Sequence, residues 1–247
     1  MRQPGIFLIT GASRGIGAAT AKLASKSYPV AFFYRRNTAQ AAQVVDEIRS
    51  AGGVAHMIQA DVGDEESLMQ GFAAVDELGR LEVLVNNAAV TGGSSRLQDV
   101  QASVLQEVFS VNVIGAFIAC REAVKRMSLR HGGQGGSIVN VSSGASQLGA
   151  AHNWIHYAAS KGALDTLTIG LSREVATEGI RVNAVRPGVI NTEMQAGRSS
   201  EQMKKMLQVI PMERMGTPEE IAESILWLAS AQASYVTGSF VDARGGL

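Results

Sequence analysis

The sequence predicts one doubly wound α/β domain, a parallel sheet with helices packed on both faces in three layers. Two observations carry this reading. Short, nearly continuous apolar runs rich in β-branched and aromatic residues alternate with longer segments of helical pattern. Strands buried on both faces read in this way, because each face is covered by the helices that connect them. The alternation also runs from end to end with no internal repeat and no interdomain linker; "HGGQGG" (131–136) is a flexible loop too short to divide domains. Residues 1–247 are therefore read as a single domain.

The elements follow in order. "GIFLIT" (5–10) is the first strand, and a helix covers about 15–27. "VAFFY" (30–34) is the second strand, followed by a helix over 38–51. "VAHMIQA" (54–60) is the third, then a helix over 64–78. "LEVLVNNA" (81–88) is the fourth, then a long helical stretch over 100–128. "GSIVNVSS" (136–143) is the fifth, with a helix over 156–178. "IRVNAVRPG" (180–188) is the sixth, and "GSFVDA" (238–243) closes the sheet after a helix over 218–230.

Composition narrows the function. Of 247 residues, 46% are hydrophobic and 18% charged, with 22 basic and 22 acidic side chains. Zero net charge argues against nucleic-acid binding, which needs a concentrated basic surface. No stretch approaches the ~20 apolar residues that span a bilayer, so no membrane partner is expected. "MRQPGIFLITGAS" turns polar too quickly for a secretory signal. The single cysteine, Cys120, cannot form an internal disulfide, which fits a reducing cytoplasm. His152 and His156 could share a helix face, yet no thiol or acid accompanies them, so no metal site is predicted.

The first strand runs straight into "TGASRGIG", which spaces Gly11, Gly15 and Gly17 as G-x-x-x-G-x-G before a helix. Glycines there permit a tight turn and close backbone approach to a pyrophosphate, while the helix offers free N–H groups and its positive end. No Gly-Lys-Ser/Thr follows, which excludes a P-loop. The second strand ends in "FFYRRN", where NAD-binding folds often place a carboxylate for the adenosine ribose. Arg35 stands there instead, and Arg14 in the glycine turn could converge with it. Guanidinium groups suit a 2′-phosphate, so the cofactor is read as NADP, with NAD possible.

"TGASRGIG", "NNAA", the asparagine of "VNV", "NVSS", "YAASK" and "RPGVINTEM", in this order, resemble the short-chain dehydrogenase/reductase family over essentially the whole chain. The likeness is to its compact branch, which includes 3-oxoacyl-carrier-protein reductases and glucose 1-dehydrogenase-like enzymes. It implies a Rossmann-type fold, nicotinamide chemistry and a homo-oligomer, usually a tetramer. It assigns cofactor contacts to Gly11, Ser13, Arg14, Gly15, Ile16 and Gly17, and to Asp61 and Val62 as an adenine-ring pair. Asn86, Asn87 and Ala88, then Pro187, Gly188, Ile190 and Thr192, complete the cofactor set. Two residues depart from the family's pattern: Ala89 replaces a glycine, and Arg186 stands where a small residue is usual.

Tyr157 and Lys161 lie four residues apart, one helical turn, on one face. Reducing a carbonyl needs a proton donor at its oxygen, and a tyrosine with a pKa near ~10 is a poor shuttle at neutral pH. A neighbouring cation lowers that value, so Lys161 is expected to activate Tyr157. By resemblance Lys161 also holds the nicotinamide ribose. Ser142 and Ser143 end the fifth strand; Ser143 is read as the hydroxyl that holds the substrate oxygen, Ser142 as a strand-end residue. Asn112 is implied to orient a water that links the lysine to solvent. The expectation is an NADP(H)-dependent oxidoreductase that interconverts a carbonyl and a secondary alcohol. The small-molecule substrate is a sugar or polyol, or a 3-oxoacyl thioester. A catalytically silent NADP(H)-sensing or scaffold protein is the alternative. Trp154, Met194, Met206 and Leu207 are candidates for an apolar pocket wall, His152 and His156 for contacts to a polyol, and Arg130 and Arg173 for docking an acidic carrier.

Overall fold

In the computed structural model, which describes residues 4–195 and 199–247, the strands fall into one parallel sheet. They are β1 (Ile6–Thr10), β2 (Val30–Tyr34), β3 (Ala55–Gln59), β4 (Leu81–Asn86), β5 (Gly136–Val141), β6 (Ile180–Pro187) and β7 (Phe240–Ala243). Their order is β3-β2-β1-β4-β5-β6-β7. Every neighbouring pair is parallel, with Phe7 opposite Val30 on one side of β1 and Val83 on the other.

Because side chains alternate across a strand, each strand feeds two cores. Phe7, Ile9 and Phe32 point to one face, where they pack with Val44, Ile48, Ile221 and Ile225. Those partners come from α2 (Thr38–Ser50) and α9 (Pro218–Ala229), beside α1 (Gly15–Ala24). Leu8, Phe33 and Leu84 point to the other, against Leu68, Phe72, Ala119 and Met127. These come from α3 (Glu65–Leu78) and the long helix that follows β4. Burying one such side chain contributes about 2 kcal/mol, so the apolar runs account for the layers.

The stretch predicted over 100–128 is α4 (Ala102–Phe109), a π-helical turn (Ser110–Ile114) and α5 (Gly115–Met127) in continuity. By length and composition, with a mean hydropathy of 1.6, this helix could cross a membrane. That corrects the expectation that no stretch comes close. Apart from Glu107, its charged side chains (Arg121, Glu122, Lys125 and Arg126) are gathered toward its C-terminal end, which leaves 108–120 without charge. Its packing makes it a core helix, with Ala116, Ala119, Cys120, Ala123 and Met127 buried.

Two helices were not predicted. Ala145–Leu148 (α6) follows β5, and Ser200–Gln208 (α8) lies between β6 and α9. Ser199 and Gln202 form a reciprocal capping box at the start of α8. The helix predicted over 156–178 is α7 (Ile155–Glu174), followed by a separate turn of 3-10 helix, Ala176–Glu178. It begins after His152, so His152 and His156 share no helix face.

Candidate active site

The chain order reverses at β1, and the C-terminal ends of β1 and β4 open a crevice there, the place where such sheets bind ligands. Thr10 fastens its edges. Its hydroxyl accepts from the backbone N–H groups of Asn87 and Ala88, each at 3.0 Å. The Asn87 amide donates back to the carbonyls of Thr10 (3.0 Å) and Gly11 (2.7 Å). The cleft above is about 1170 Å³.

Of the predicted residues, Gly11, Ser13, Arg14, Gly15, Ile16, Arg35, Asp61, Val62, Asn87, Ala88, Ser143, Tyr157, Lys161, Pro187, Gly188, Ile190 and Thr192 all line this cleft. Gly17, Asn86 and Asn112 do not. A Cβ on Gly17 would sit 2.5 Å from the Gly11 carbonyl, so that glycine serves the packing of helix on turn. Asn86 is buried, its amide donating to Asn140 at 3.0 Å and to the Cys120 sulfur at 3.2 Å.

The glycine turn fits a dinucleotide phosphate. Gly11 has φ +68° and lies so near Ala88 that a Cβ would come within 2.9 Å of its Cα. Arg14, the N-cap residue of α1, makes no side-chain cap, so the helix's first N–H groups stay available to an anion. Ala89 is not strained: among the described residues, the non-glycine positions with positive φ are Ala150, His152 and Glu213.

Both candidate arginines for a 2′-phosphate have carboxylate partners. Arg14 reaches Glu193 at 2.5 Å across the cleft. Arg35 pairs with Asp61 at 2.8 Å and approaches Glu107 at 3.8 Å. Neither Glu193 nor Glu107 was foreseen as an arginine partner: Glu193 sits in the expected "RPGVINTEM" segment, but its pairing with Arg14 spans 179 positions, and Glu107 comes from the long helix.

At the other end, α7 presents Tyr157 and Lys161, both buried. Ser143 lines the cleft with Tyr157 and acts on the phenol as a hydrogen-bonding neighbour that lowers its pKa. Ser142 is buried behind them and donates to Asp165 at 2.6 Å, which separates the two serines as predicted. The Lys161 ammonium donates to the Val141 carbonyl at 2.7 Å and lies 5.7 Å from the Tyr157 ring centroid.

In this geometry burial outweighs the lowering of the Tyr157 pKa expected from Lys161. Burial pushes the phenol up to about 12, with the Ser143 hydrogen bond opposing. Burial also pulls Lys161 down to about 8, against the opposing charge of Asp165. The cation sits over the ring and spends its proton on a backbone carbonyl, so desolvation dominates both groups.

Asn112, buried within the π-helical turn, is a clamp. Its Oδ1 accepts from Val90 N at 2.8 Å, and its Nδ2 donates to Val90 O (2.9 Å) and Ser160 Oγ (3.0 Å). Both N–H donors and one lone pair of its amide oxygen are used in joining the β4 loop to α7.

Trp154, Met194 and Met206 line the cleft as expected, with Leu148; Leu207 does not. Trp154 packs edge-on against Tyr157, with ring centroids 6.1 Å apart. His156 is buried and bonded to the Thr91 carbonyl at 2.7 Å, while His152 is exposed, and neither lines the cleft. Arg130 pairs with Glu178 at 3.2 Å, and Arg173 is exposed.

A family model described as enoyl-(acyl carrier protein) reductase matches residues 11–247. An uncharacterized oxidoreductase of Escherichia coli, YgfF, is 51% identical over 244 residues, 98% of this chain and 99% of that protein. A 3-oxoacyl-[acyl-carrier-protein] reductase of Staphylococcus aureus is 37% identical over 249 residues, 100% of this chain and 99% of its own. The solved structure of a short-chain dehydrogenase/reductase from Serratia marcescens superimposes with a TM-score of 0.91 at 35% identity, covering 99% and 98% of the two chains. With the match to the family model and these relatives spanning nearly the whole of both chains, the chain belongs to the short-chain dehydrogenase/reductase family of oxidoreductases.

Proposed function

We propose that the protein is an NADP(H)-dependent oxidoreductase that interconverts a carbonyl and a secondary alcohol. The observation that carries this reading is the convergence of Ser143, Tyr157 and Lys161 in the same cleft as the glycine turn. A nicotinamide dinucleotide, when bound, exchanges the hydride with the substrate carbon. Gly11, Gly15 and the start of α1 would hold its pyrophosphate, and Lys161 its nicotinamide ribose. Asp61 and Val62 lie at the adenine end.

The residues of the chain handle the oxygen. Ser143 holds it by a hydrogen bond, and Tyr157 gives it a proton in reduction or takes one in oxidation. With its phenol raised by burial, Tyr157 is protonated at neutral pH, which favours the reducing direction there. Asn112 acts by clamping the loop at Val90.

The wall of Leu148, Trp154, Met194 and Met206 supports a carbonyl on an apolar chain, such as a 3-oxoacyl thioester. The histidines that would have favoured a polyol are away from the cleft. The Ser143–Tyr157–Lys161 constellation in the cleft argues against a silent sensor. Exposed apolar side chains on the long helix (Leu105, Phe109, Ile114, Phe117) and near β7 (Trp227, Tyr235) support a homo-oligomer. A single buried cysteine fits a cytoplasmic setting.

NADPH oxidation over a panel of acetoacetyl thioesters, sugar lactones, diketones and aldehydes, with NADH as comparison, tests the reading. Arg35→Ser should raise the KM for NADPH about tenfold, the loss of one charge-assisted contact, and leave that for NADH nearly unchanged. Equal use of both cofactors by the unmodified protein would contradict the NADP assignment. Tight NADPH binding with no turnover across the panel would favour the sensor.

A further inference from the structure

Arg186 stands directly before Pro187, where the family resemblance leads one to expect a small residue. It is not an idle surface cation. From β6 its side chain, 12% exposed, crosses to α7. There its Nε and Nη2 meet one oxygen of Asp165 at 3.1 and 3.0 Å. The guanidinium lies on the face of Phe240, 3.8 Å from the ring centroid, and Asp242 approaches its Nη1 at 3.7 Å. The other Asp165 oxygen accepts the 2.6 Å hydrogen bond from Ser142. One oxygen of this buried carboxylate is therefore held from β5 and the other from β6.

Asp165 lies one helical turn beyond Lys161, as Lys161 lies one turn beyond Tyr157. The three side chains share a face of α7. An unheld carboxylate at that position is the natural i,i+4 partner of the lysine. In the structure the ammonium goes elsewhere, to the Val141 carbonyl and over the Tyr157 ring. Val141 and Ser142 are consecutive, so Lys161 and Asp165 together grip the end of β5, immediately before Ser143.

We propose that Arg186 is a positioning residue for the reaction. By holding Asp165 against β6 it keeps that carboxylate from capturing Lys161, and so leaves the ammonium facing Tyr157. This rests on the roles proposed above for Tyr157 and Lys161. The charged and titratable groups that face the pair are Tyr157 from α7, Arg186 from β6, and Asp242 with its partner Arg244 from β7. Ser142 and Ser143 from β5 and Asn112 from the long helix add neutral dipoles.

The sign follows from that inventory. Asp165 already raises Lys161 against the larger lowering by burial. Removing the Arg186 charge strengthens the Asp165 field, so the lysine titrates higher and its charge is drawn away from the phenol. Removing both charges of the pair cancels the effect.

The test uses protein labelled with 13C at lysine Cε, with the Lys161 signal assigned from Lys161→Arg. Its titration is followed by NMR in the unmodified protein, Arg186→Met, Arg186→Lys and the double variant Asp165→Asn/Arg186→Met. The Lys161 midpoint should rise by about one pH unit in Arg186→Met and return toward its starting value in Arg186→Lys and in the double variant. The kcat for reduction should fall about tenfold in Arg186→Met with little change in KM, and recover in the double variant.

An unmoved midpoint in Arg186→Met would overturn the proposal. So would a double variant as impaired as the single one, which would assign Arg186 to packing on Phe240. If Arg186→Met does not fold, Asp165→Asn alone reads the same coupling: its Lys161 midpoint must fall, and an unchanged one overturns the proposal. A moved midpoint in a protein that reduces no carbonyl would contradict the proposed function, whereas an unmoved midpoint in an active enzyme contradicts only the role of Arg186.

Discussion

Tyr157 and Lys161 titrate in opposite directions for one reason: each is deep in the protein, where its charged form is poorly solvated. The phenol at about 12 stays protonated through the neutral range, and the lysine at about 8 begins to lose its proton just above it. The rate of carbonyl reduction should therefore be flat near neutral pH and decline as pH passes about 8, while alcohol oxidation should continue to rise. Paired pH–kcat profiles in the two directions check this, and a reduction rate that climbs through pH 8 would contradict it. At this scale the sequence was informative wherever partners lie close together in it. Tyr157 and Lys161 are one turn apart, and Gly11, Gly15 and Gly17 share one turn. It was silent where they are far apart, as with Arg14 and Glu193, 179 positions away, or Asn112 and Ser160, 48 away. The expected lowering of the Tyr157 pKa by Lys161 left out burial, which opposes charge on either residue and cannot be read from spacing.

Elements place these residues, and their ends matter more than their middles. β5 stops at Val141, two residues sooner than predicted, and this frees Ser142 and Ser143 to turn in different directions. The long helix carries the clamp of Asn112 in a π-helical turn that no periodicity reveals, since apolar spacing on either side of it stays helical. It is anchored at its C-terminal end by Glu122. That side chain is only 2% exposed and bonded to Lys125 (2.8 Å), Arg126 (2.9 Å) and Arg121 (3.0 Å). Burial would raise its carboxyl, but the three cations outweigh it and hold the pKa near 2, below the ordinary 4.5. A depressed folded-state pKa stabilises the fold above about 4.5, and that contribution is lost as pH falls toward 2. Glu122→Gln should thus lower stability at neutral pH by roughly 2 kcal/mol, with the deficit shrinking at acid pH. Urea denaturation at pH 7 and near pH 3 compares the two; an equal deficit at both would show that the cations do not act through the charge.

For the whole molecule, the sequence was most legible in the sheet. Continuous apolar strands such as "IFLIT" and "VAFFY" have to be buried on both faces, and one strand order then puts the glycine turn, the β4 end and α7 around a single cleft. Loop helices were less legible: α6 is a single turn, and in α8 the one-face spacing of Met203, Met206 and Leu207 spans little more than a turn. The long helix was misjudged in the other direction, since its apolar length reflects a core face together with exposed Phe109, Ile114 and Phe117, the surface on which the proposed oligomer draws.

The central claim is that Tyr157 moves the proton in a cleft that other residues build for the cofactor. Its most direct test is Tyr157→Phe, measured for NADPH binding by fluorescence and for kcat on the best carbonyl of the panel. The account predicts a dissociation constant within a few-fold of the unmodified protein's and a kcat lower by about a hundredfold or more, the usual scale of general acid catalysis. A variant that keeps its full kcat and loses only in KM would contradict it.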